Sequence, residues 1–195
     1  MNDRKRKKTG LLFGSFNPVH TGHLIIASHF LQHTDLKEVW FVLSPQNPFK
    51  TEEDLLQDSK RLELLHLAVD DNVRFRICDI ELSMDKPSFT IHTIKKLQKE
   101  YPDRDFVLLI GSDNLNEFDR WKNHEEILST VKIYVYPRKG KVSSRFSSHP
   151  SIKMVDAPRI DISSTQIRKD FQLGREPRYL LPDKVLQKIK DKKHY

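Results

Sequence analysis

Cysteine is almost absent from this chain of 195 residues, because Cys78 is the only one. A single cysteine excludes a disulfide-stabilised scaffold and favours a reducing, cytoplasmic location. Long apolar runs are also missing. No segment approaches the ~20 residues that span a bilayer, and the charged N-terminal segment lacks the apolar core of a signal peptide, so we expect no membrane partner.

Most of the chain carries no net charge, although the whole chain carries +7. Residues 1–9 carry +4 and residues 183–195 carry +3, which leaves residues 10–182 neutral. Nucleic-acid-binding domains concentrate basic residues on one face, so nucleic acid is not expected as a partner. A polyanion-binding module that uses residues 4–8 is the alternative, and it predicts an affinity that falls steeply with salt.

Short apolar segments alternate with segments of helical periodicity along most of the chain. Residues 39–43 and 106–110 are uninterrupted apolar runs, which are typical of strands covered on both faces. The alternation predicts an α/β fold with a doubly wound, mainly parallel sheet. We expect a single domain over residues 9–195, preceded by a basic tail at residues 1–8. The predicted strands are residues 11–13, 39–43, 73–78, 106–110, 132–136 and 152–155, and the predicted helices are residues 24–31, 59–69, 91–101, 163–171 and 183–192.

The first and fourth predicted strands each end in a glycine that polar residues follow. Residues 14–17 read Gly-Ser-Phe-Asn, and residues 111–114 read Gly-Ser-Asp-Asn. Ligands of doubly wound sheets bind beyond the carboxyl ends of the two strands at which the strand order reverses. We therefore expect these two strands to be that pair.

Two histidines, His20 and His23, lie where the first helix is expected to begin. A helix N-terminus offers free N–H groups and partial positive charge, and two imidazoles beside it make a phosphate site. Gly14 permits a sharp turn at the strand end, and Gly22 is expected to leave room for close approach by a ligand. A two-histidine metal site or simple capping are the alternatives, but a metal would need further ligands.

A second candidate phosphate contact lies at residues 162–168, which read Ile-Ser-Ser-Thr-Gln-Ile-Arg. Ser163 and Gln166 have the spacing of a capping box, which predicts a helix start with hydroxyl and N–H donors. Arg168 follows Ser164 by four residues, so both lie on one helix face, where the guanidinium could bind phosphate. An ordinary capped helix with a surface arginine is the alternative.

The usual nucleotide-binding patterns are missing, since neither Gly-x-x-x-x-Gly-Lys-Ser/Thr nor Gly-x-Gly-x-x-Gly occurs. Instead, the motifs at residues 14–23 and 162–168 resemble those of the HIGH-type nucleotidyltransferase superfamily. Within it, the chain closely resembles the bacterial nicotinate-nucleotide adenylyltransferases from about Thr9 to Lys188. Further matches lie at residues 45–50, 87–90, 111–113, 120–121 and 179–185.

One difference concerns the first motif. Many bacterial members have Gly-Gly-Thr-Phe-Asp-Pro, whereas residues 14–18 of this chain read Gly-Ser-Phe-Asn-Pro, one residue shorter. The shorter version is similar to the nicotinamide-nucleotide enzymes of eukaryotes, so the choice between nicotinate and nicotinamide is left open.

The resemblance implies a Rossmann-like nucleotidyltransferase fold and adenylyl transfer from ATP to nicotinate mononucleotide in NAD biosynthesis. It implies Mg²⁺ carried by the substrate phosphates, and no metal held by the protein. Trp121 is the candidate for stacking on the pyridine ring. The implied catalytic residues are His20, His23 and Arg168. The implied ATP-binding residues are Gly14, Ser15, Phe16, Gly22, Gly111, Asp113, Ser163, Ser164 and Thr165, and the implied mononucleotide-binding residues are Asn17, Lys50, Phe89, Thr90 and Trp121.

Other members of the superfamily are the nearest alternatives. Phosphopantetheine adenylyltransferases are shorter and differ from Ser163 onward, and an aminoacyl-tRNA synthetase fragment would need a Lys-Met-Ser-Lys-like element, which is missing. A homo-oligomer is left open by the sequence.

Overall fold

The computed structural model describes residues 6–45 and 55–195. Within these residues, six parallel strands form one sheet in the order β3-β2-β1-β4-β5-β6, which confirms the predicted doubly wound α/β fold. The strands are β1 (Lys7–Gly14), β2 (Glu38–Leu43), β3 (Phe75–Cys78), β4 (Arg104–Gly111), β5 (Lys132–Tyr136) and β6 (Ile152–Met154).

Helices cover both faces of this sheet, and side chains that alternate along the strands point into the two layers. Leu12 and Phe41 belong to a first core cluster with α1, α2, α6 and α7, whereas Leu11 and Trp40 belong to a second core cluster with α3, α4 and α5. Burying one large side chain contributes about 1.5–3 kcal/mol, so both layers stabilise the sheet. The helices are α1 (Thr21–His33), α2 (Asp58–Val69), α3 (Thr90–Glu100), α4 (Ser112–Asn116), α5 (His124–Thr130), α6 (Ser164–Gln172) and α7 (Asp183–Lys192).

The predicted pair of strands lies at the centre of the sheet. β1 and β4 are neighbours, with Leu12 opposite Leu109. From β1 the chain builds outward through β2 and β3, and from β4 it builds outward through β5 and β6 on the other side. The strand order therefore reverses between β1 and β4, and the loops after Gly14 and Gly111 begin at the same edge of the sheet.

The sequence did not predict two short helices, α4 and α5, which span five and seven residues. Segments of one to two turns are too short to show a helical period.

The third strand was predicted from Val73, but β3 begins at Phe75 and Val73 is 94% exposed. Among the described residues, no helix is long and apolar enough to cross a membrane.

The first strand is longer than expected and includes two residues that were predicted to belong to the tail. β1 begins at Lys7 and extends to Gly14, so Lys7 and Lys8 are strand residues. Lys7 forms an ion pair with Glu38, and Lys8 forms one with Asp35. Lys7 and Lys8, which the sequence interpretation placed in the tail, are thus part of the sheet and are paired with acidic residues.

Candidate active site

The loop between β1 and α1, residues 15–20, is called the β1–α1 loop below. Its Phe16 is buried and has φ 44°, a left-handed conformation that is uncommon for a bulky residue. A Cβ at Gly14 would lie 2.9 Å from the Phe16 ring, so glycine is needed for the ring to pack beneath the strand end. The ring meets His23 edge-on at 5.0 Å between centroids. Phe16 thus supports the histidine pair from the core side.

The two predicted histidines lie against each other at the start of α1. Their rings are stacked, with centroids 3.6 Å apart and planes inclined by 21°. The backbone N–H of His20 donates to Nδ1 of His23 at 3.2 Å, which leaves the proton of a neutral His23 on Nε2. The helix N-terminus and both imidazoles are therefore brought together, as the sequence predicted.

His20 is the more buried of the pair, at 4% exposure. Burial, together with the positive charge of Arg138, lowers its pKa to about 4. Its Nδ1 is buried and has no hydrogen-bond partner within the described residues. A neutral imidazole with an unsatisfied nitrogen is thus held beside a helix N-terminus.

The start of α6 agrees with the second motif, with one correction. Ser163 caps the helix, because its Oγ accepts a hydrogen bond from the N–H of Gln166 at 3.1 Å. The Gln166 side chain, however, donates to Asp170 at 3.0 Å instead of returning to Ser163. Only half of the expected capping box forms. Ser163 and Thr165 are exposed in this first turn.

The second motif docks directly on the β1–α1 loop. Ser164 donates from Oγ to the carbonyl oxygen of Pro18 at 2.9 Å, and Arg168 donates from Nη1 to the carbonyl oxygen of Asn17 at 2.9 Å. The expectation that Ser164 and Arg168 share one helix face is confirmed. Arg168 Nε is buried without a partner among the described residues. Two unsatisfied buried nitrogens, one on His20 and one on Arg168, therefore flank the junction of the motifs.

The reason expected for Gly22 is wrong. A Cβ at this position would lie 2.8 Å from Cγ2 of Ile160 and 3.0 Å from Nδ1 of His20. The space beside Gly22 is filled by these side chains, so the glycine permits close packing of the protein and does not provide room for a ligand.

Arg138, which the sequence interpretation missed, joins the end of β4 to the segment before α6. Its backbone N–H donates to Oγ of Ser112 at 2.9 Å, and its Nη1 donates to the carbonyl oxygen of Ile160 at 3.3 Å. Its Nε lies 3.6 Å from a carboxylate oxygen of Asp113. A Cβ at Gly111 would collide with the Arg138 and Asp113 side chains. The sequence did contain a signal for this residue, namely a basic side chain just after β5. Because β5 lies beside β4 in the sheet, a residue at that position is close to the residues that follow β4.

Arg61 is a second residue that sequence reasoning missed. It is fully buried, and all five of its N–H groups are used. They bind the loop after β1 to residues that follow β2. The acceptors are the carbonyl oxygens of Ser15, Ser44, Pro45 and Leu56 and the carboxylate of Asp58.

The candidates for the pyridine ring lie on the other side of the sheet. Phe89 and Trp121 are partly buried against the second core cluster, and Trp121 packs on Phe118 with ring centroids 5.4 Å apart. Thr90 is the first residue of α3. Lys122 Nζ lies 4.2 Å above the Phe89 ring, which brings the two segments into contact. Lys50, the remaining candidate for the mononucleotide, lies outside the described residues. Among the residues that the structure describes, no three His, Cys, Asp or Glu side chains are grouped so that they could hold a metal ion.

Comparison with known proteins agrees with this geometry. Residues 11–170 match the family model described as cytidylyltransferase-like. A protein of Cytophaga hutchinsonii named "Probable nicotinate-nucleotide adenylyltransferase" is 45% identical over 96% of this chain and 98% of its own length. A Bacteroides fragilis protein of the same name is 45% identical over 94% of this chain and 92% of its own.

A solved structure has the same fold. The Plasmodium falciparum nicotinic acid mononucleotide adenylyltransferase complexed with NaAD superimposes with a TM-score of 0.79, at 16% identity, covering 95% of this chain and 96% of its own. The full-length sequence similarity, together with the two joined motifs, assigns the chain to the nicotinate-nucleotide adenylyltransferase family of cytidylyltransferase-like proteins.

Proposed function

We propose that this protein transfers the adenylyl group of ATP to nicotinate mononucleotide, releasing pyrophosphate and forming nicotinate adenine dinucleotide for NAD biosynthesis. The observation that carries the proposal is the junction of the two motifs. Ser164 and Arg168 bind the backbone of the β1–α1 loop, three residues or fewer from His20. Two helix N-termini thus face one loop, which is an arrangement suited to a triphosphate.

The reaction requires little acid–base catalysis by the protein. The attacking group is the phosphate of the mononucleotide, which is mostly dianionic at neutral pH because its second pKa is near ~6. One of its oxygens forms a bond to the α-phosphorus of ATP, and the bond from that phosphorus to the bridging oxygen breaks. Since no proton must be removed from the nucleophile, catalysis depends on positioning and on neutralising the leaving pyrophosphate.

The described side chains suit that task. His20 and His23 would meet the phosphates from the start of α1, where the helix dipole favours negative charge. Ser163, Ser164 and Thr165 would meet them from the start of α6, with the remaining donors of Arg168. Mg²⁺ enters with ATP as part of the substrate and reduces the repulsion between the two anions.

The neutral state of His20 has a consequence for substrate binding. Its pKa of about 4 belongs to the unliganded protein, in which burial and Arg138 disfavour the imidazolium. Phosphate charge brought next to the ring raises that pKa, so ATP binding and proton uptake are coupled. His20 would therefore become a better donor to the anion as the anion arrives.

The direct test is release of pyrophosphate by the purified protein with ATP, Mg²⁺ and one acceptor at a time, which is nicotinate mononucleotide, nicotinamide mononucleotide or phosphopantetheine. We expect nicotinate mononucleotide to give the highest kcat/KM. Faster release with nicotinamide mononucleotide would instead identify that nucleotide as the preferred acceptor, the alternative that the shorter motif at residues 14–18 leaves open. Release with phosphopantetheine alone, or with none of the three acceptors, would contradict the proposal.

A further inference from the structure

Tyr195 reaches back across the fold to the β1–α1 loop. After α7, Lys193 adopts a left-handed conformation with φ 48°. Hydrogen bonds from Lys193 N–H to the Lys190 carbonyl and from His194 N–H to the Ile189 carbonyl then form the two bonds of a Schellman turn. The turn reverses the chain, and the Tyr195 hydroxyl donates to Oδ1 of Asn17 at 2.8 Å.

The phenol is held firmly at this position. The Tyr195 ring stacks on Phe171 of α6, with centroids 6.1 Å apart and planes inclined by 24°, and it packs against the first core cluster. Burial raises the pKa of the Tyr195 phenol above its usual value, although the charges of Arg168 and Arg61 oppose this effect. The hydroxyl therefore keeps its proton and remains a donor to Asn17.

Asn17 is restrained by contacts from three distant parts of the chain. Its Oδ1 accepts hydrogen bonds from Tyr195 and from the backbone N–H of Leu56 at 3.2 Å, and its carbonyl oxygen accepts one from Arg168. The residue is buried and precedes His20 by three positions. Restraint of Asn17 thus restrains the backbone that carries His20.

We propose that Tyr195 is a positioning residue for adenylyl transfer, which holds the β1–α1 loop through the side chain of Asn17. The inference rests on the proposed function, because it assigns Tyr195 an effect on the step in which His20 meets the leaving pyrophosphate. Small displacements of a group that stabilises developing charge reduce kcat more than they reduce ground-state binding. A purely structural role would lower stability without lowering kcat at a temperature where the protein is folded.

Tyr195→Phe removes the hydroxyl alone, and Tyr134→Phe is its matched control. Tyr134 donates to Oδ1 of Asp35 at 2.7 Å, so the control also loses one hydrogen bond from a phenol to a side-chain oxygen, away from the loop. We expect Tyr195→Phe to lower kcat about threefold to tenfold, the size typical of one lost orienting hydrogen bond, with less than twofold change in either KM. Tyr134→Phe should keep the wild-type kcat.

A double-mutant cycle tests whether Tyr195 acts through Asn17. In an Asn17→Ala background, adding Tyr195→Phe should not reduce kcat further. The side-chain amide signals of Asn17 in a ¹⁵N-correlation spectrum, assigned by their loss in Asn17→Ala, should shift in Tyr195→Phe and stay in place in Tyr134→Phe. The spectrum reads the hydrogen bond independently of turnover.

Each result bears on a different claim. A wild-type kcat in Tyr195→Phe, an equal loss in the control, or a full additional loss in the Asn17→Ala background would overturn the inference while leaving the proposed function intact. If the wild-type protein released no pyrophosphate with any mononucleotide, the proposed function would fail, and the role of Tyr195 in that reaction would fail with it.

Discussion

Arg168 donates a hydrogen bond to the carbonyl oxygen of Asn17, 2.9 Å away and 151 residues earlier in the chain. This bond joins the two motifs that the sequence shows at opposite ends. It also fixes Arg168 at Nη1, while its buried Nε has no partner among the described residues. A single side chain thus holds the β1–α1 loop and, under the proposed function, keeps donors for phosphate.

Loss of Arg168 should therefore weaken the use of ATP. Arg168→Ala removes the loop bond and a fork of donors, and we expect the KM for ATP to rise at least about tenfold, in line with a charge-assisted contact of about 1.5–3 kcal/mol. Arg168→Lys should recover only part of this, because an ammonium lacks the planar fork of donors with which a guanidinium spans two acceptors. Arg175→Ala, at an exposed position just beyond the end of α6, is the control. Unchanged ATP dependence in Arg168→Ala would remove this residue from the site.

His23 should contribute mainly to turnover. His23→Ala removes a donor from the start of α1 without opening a cavity in the core, so the fold should survive while kcat falls about 10²-fold or more. Steady-state kinetics together with circular dichroism separate the two effects. His33→Ala, on the exposed last turn of the same helix, should keep full activity. A His23→Ala variant with a near-normal rate would contradict the assignment.

His20 should make the unliganded protein sensitive to acid. Its pKa is about 4 in the folded state and 6.5 in the unfolded chain. Between these values the unfolded state binds a proton that the folded state does not, so the free energy of unfolding falls as the pH decreases from 6.5 to 4, by up to about 3 kcal/mol. His20→Asn should abolish that part of the pH dependence.

Urea denaturation at pH 7 and pH 4.5 measures this effect. The loss of stability on acidification should be about 2 to 3 kcal/mol smaller in His20→Asn than in the wild type. His66→Asn, at an exposed site on α2, should retain the wild-type pH dependence. Equal acid sensitivity in all three proteins would show that His20 is not held neutral by burial.

Arg61 should be required for stability more than for chemistry. Arg61→Met leaves four carbonyl oxygens and Asp58 without their buried partner, and removing one member of such a network costs about 3–5 kcal/mol. Denaturant unfolding should show this loss, whereas Arg74→Met at an exposed position should change stability by less than about 0.5 kcal/mol. A change below 1 kcal/mol in Arg61→Met would mean that the hydrogen-bond network contributes little.

Several features of the fold could be read from the sequence because they depend on local patterns. The uninterrupted apolar runs predicted β2 and β4, and the glycines that end β1 and β4 marked the place where the strand order reverses. The short helices α4 and α5 left no periodic pattern, because one or two turns carry too few residues.

The site could be predicted only in part, for a physical reason. His20, His23 and Ser163 lie in local motifs, whereas the bonding of Arg61 and Arg138 depends on residues far away in the chain. Arg61 looks like an ordinary helix residue until the loop carbonyls around it are known. The role of Gly22 was misread because its neighbour, Ile160, comes from a distant segment.

The central claim is that the start of α1 and the start of α6 bind one triphosphate together. A crystal structure with Mg²⁺ and a non-hydrolysable ATP analogue tests it most directly. We predict phosphate oxygens within about 3.2 Å of an imidazole nitrogen of His20 or His23 and, in the same molecule, of the first turn of α6 or the guanidinium of Arg168. A triphosphate that contacts only one of these two helix starts, or that binds elsewhere, would contradict the account.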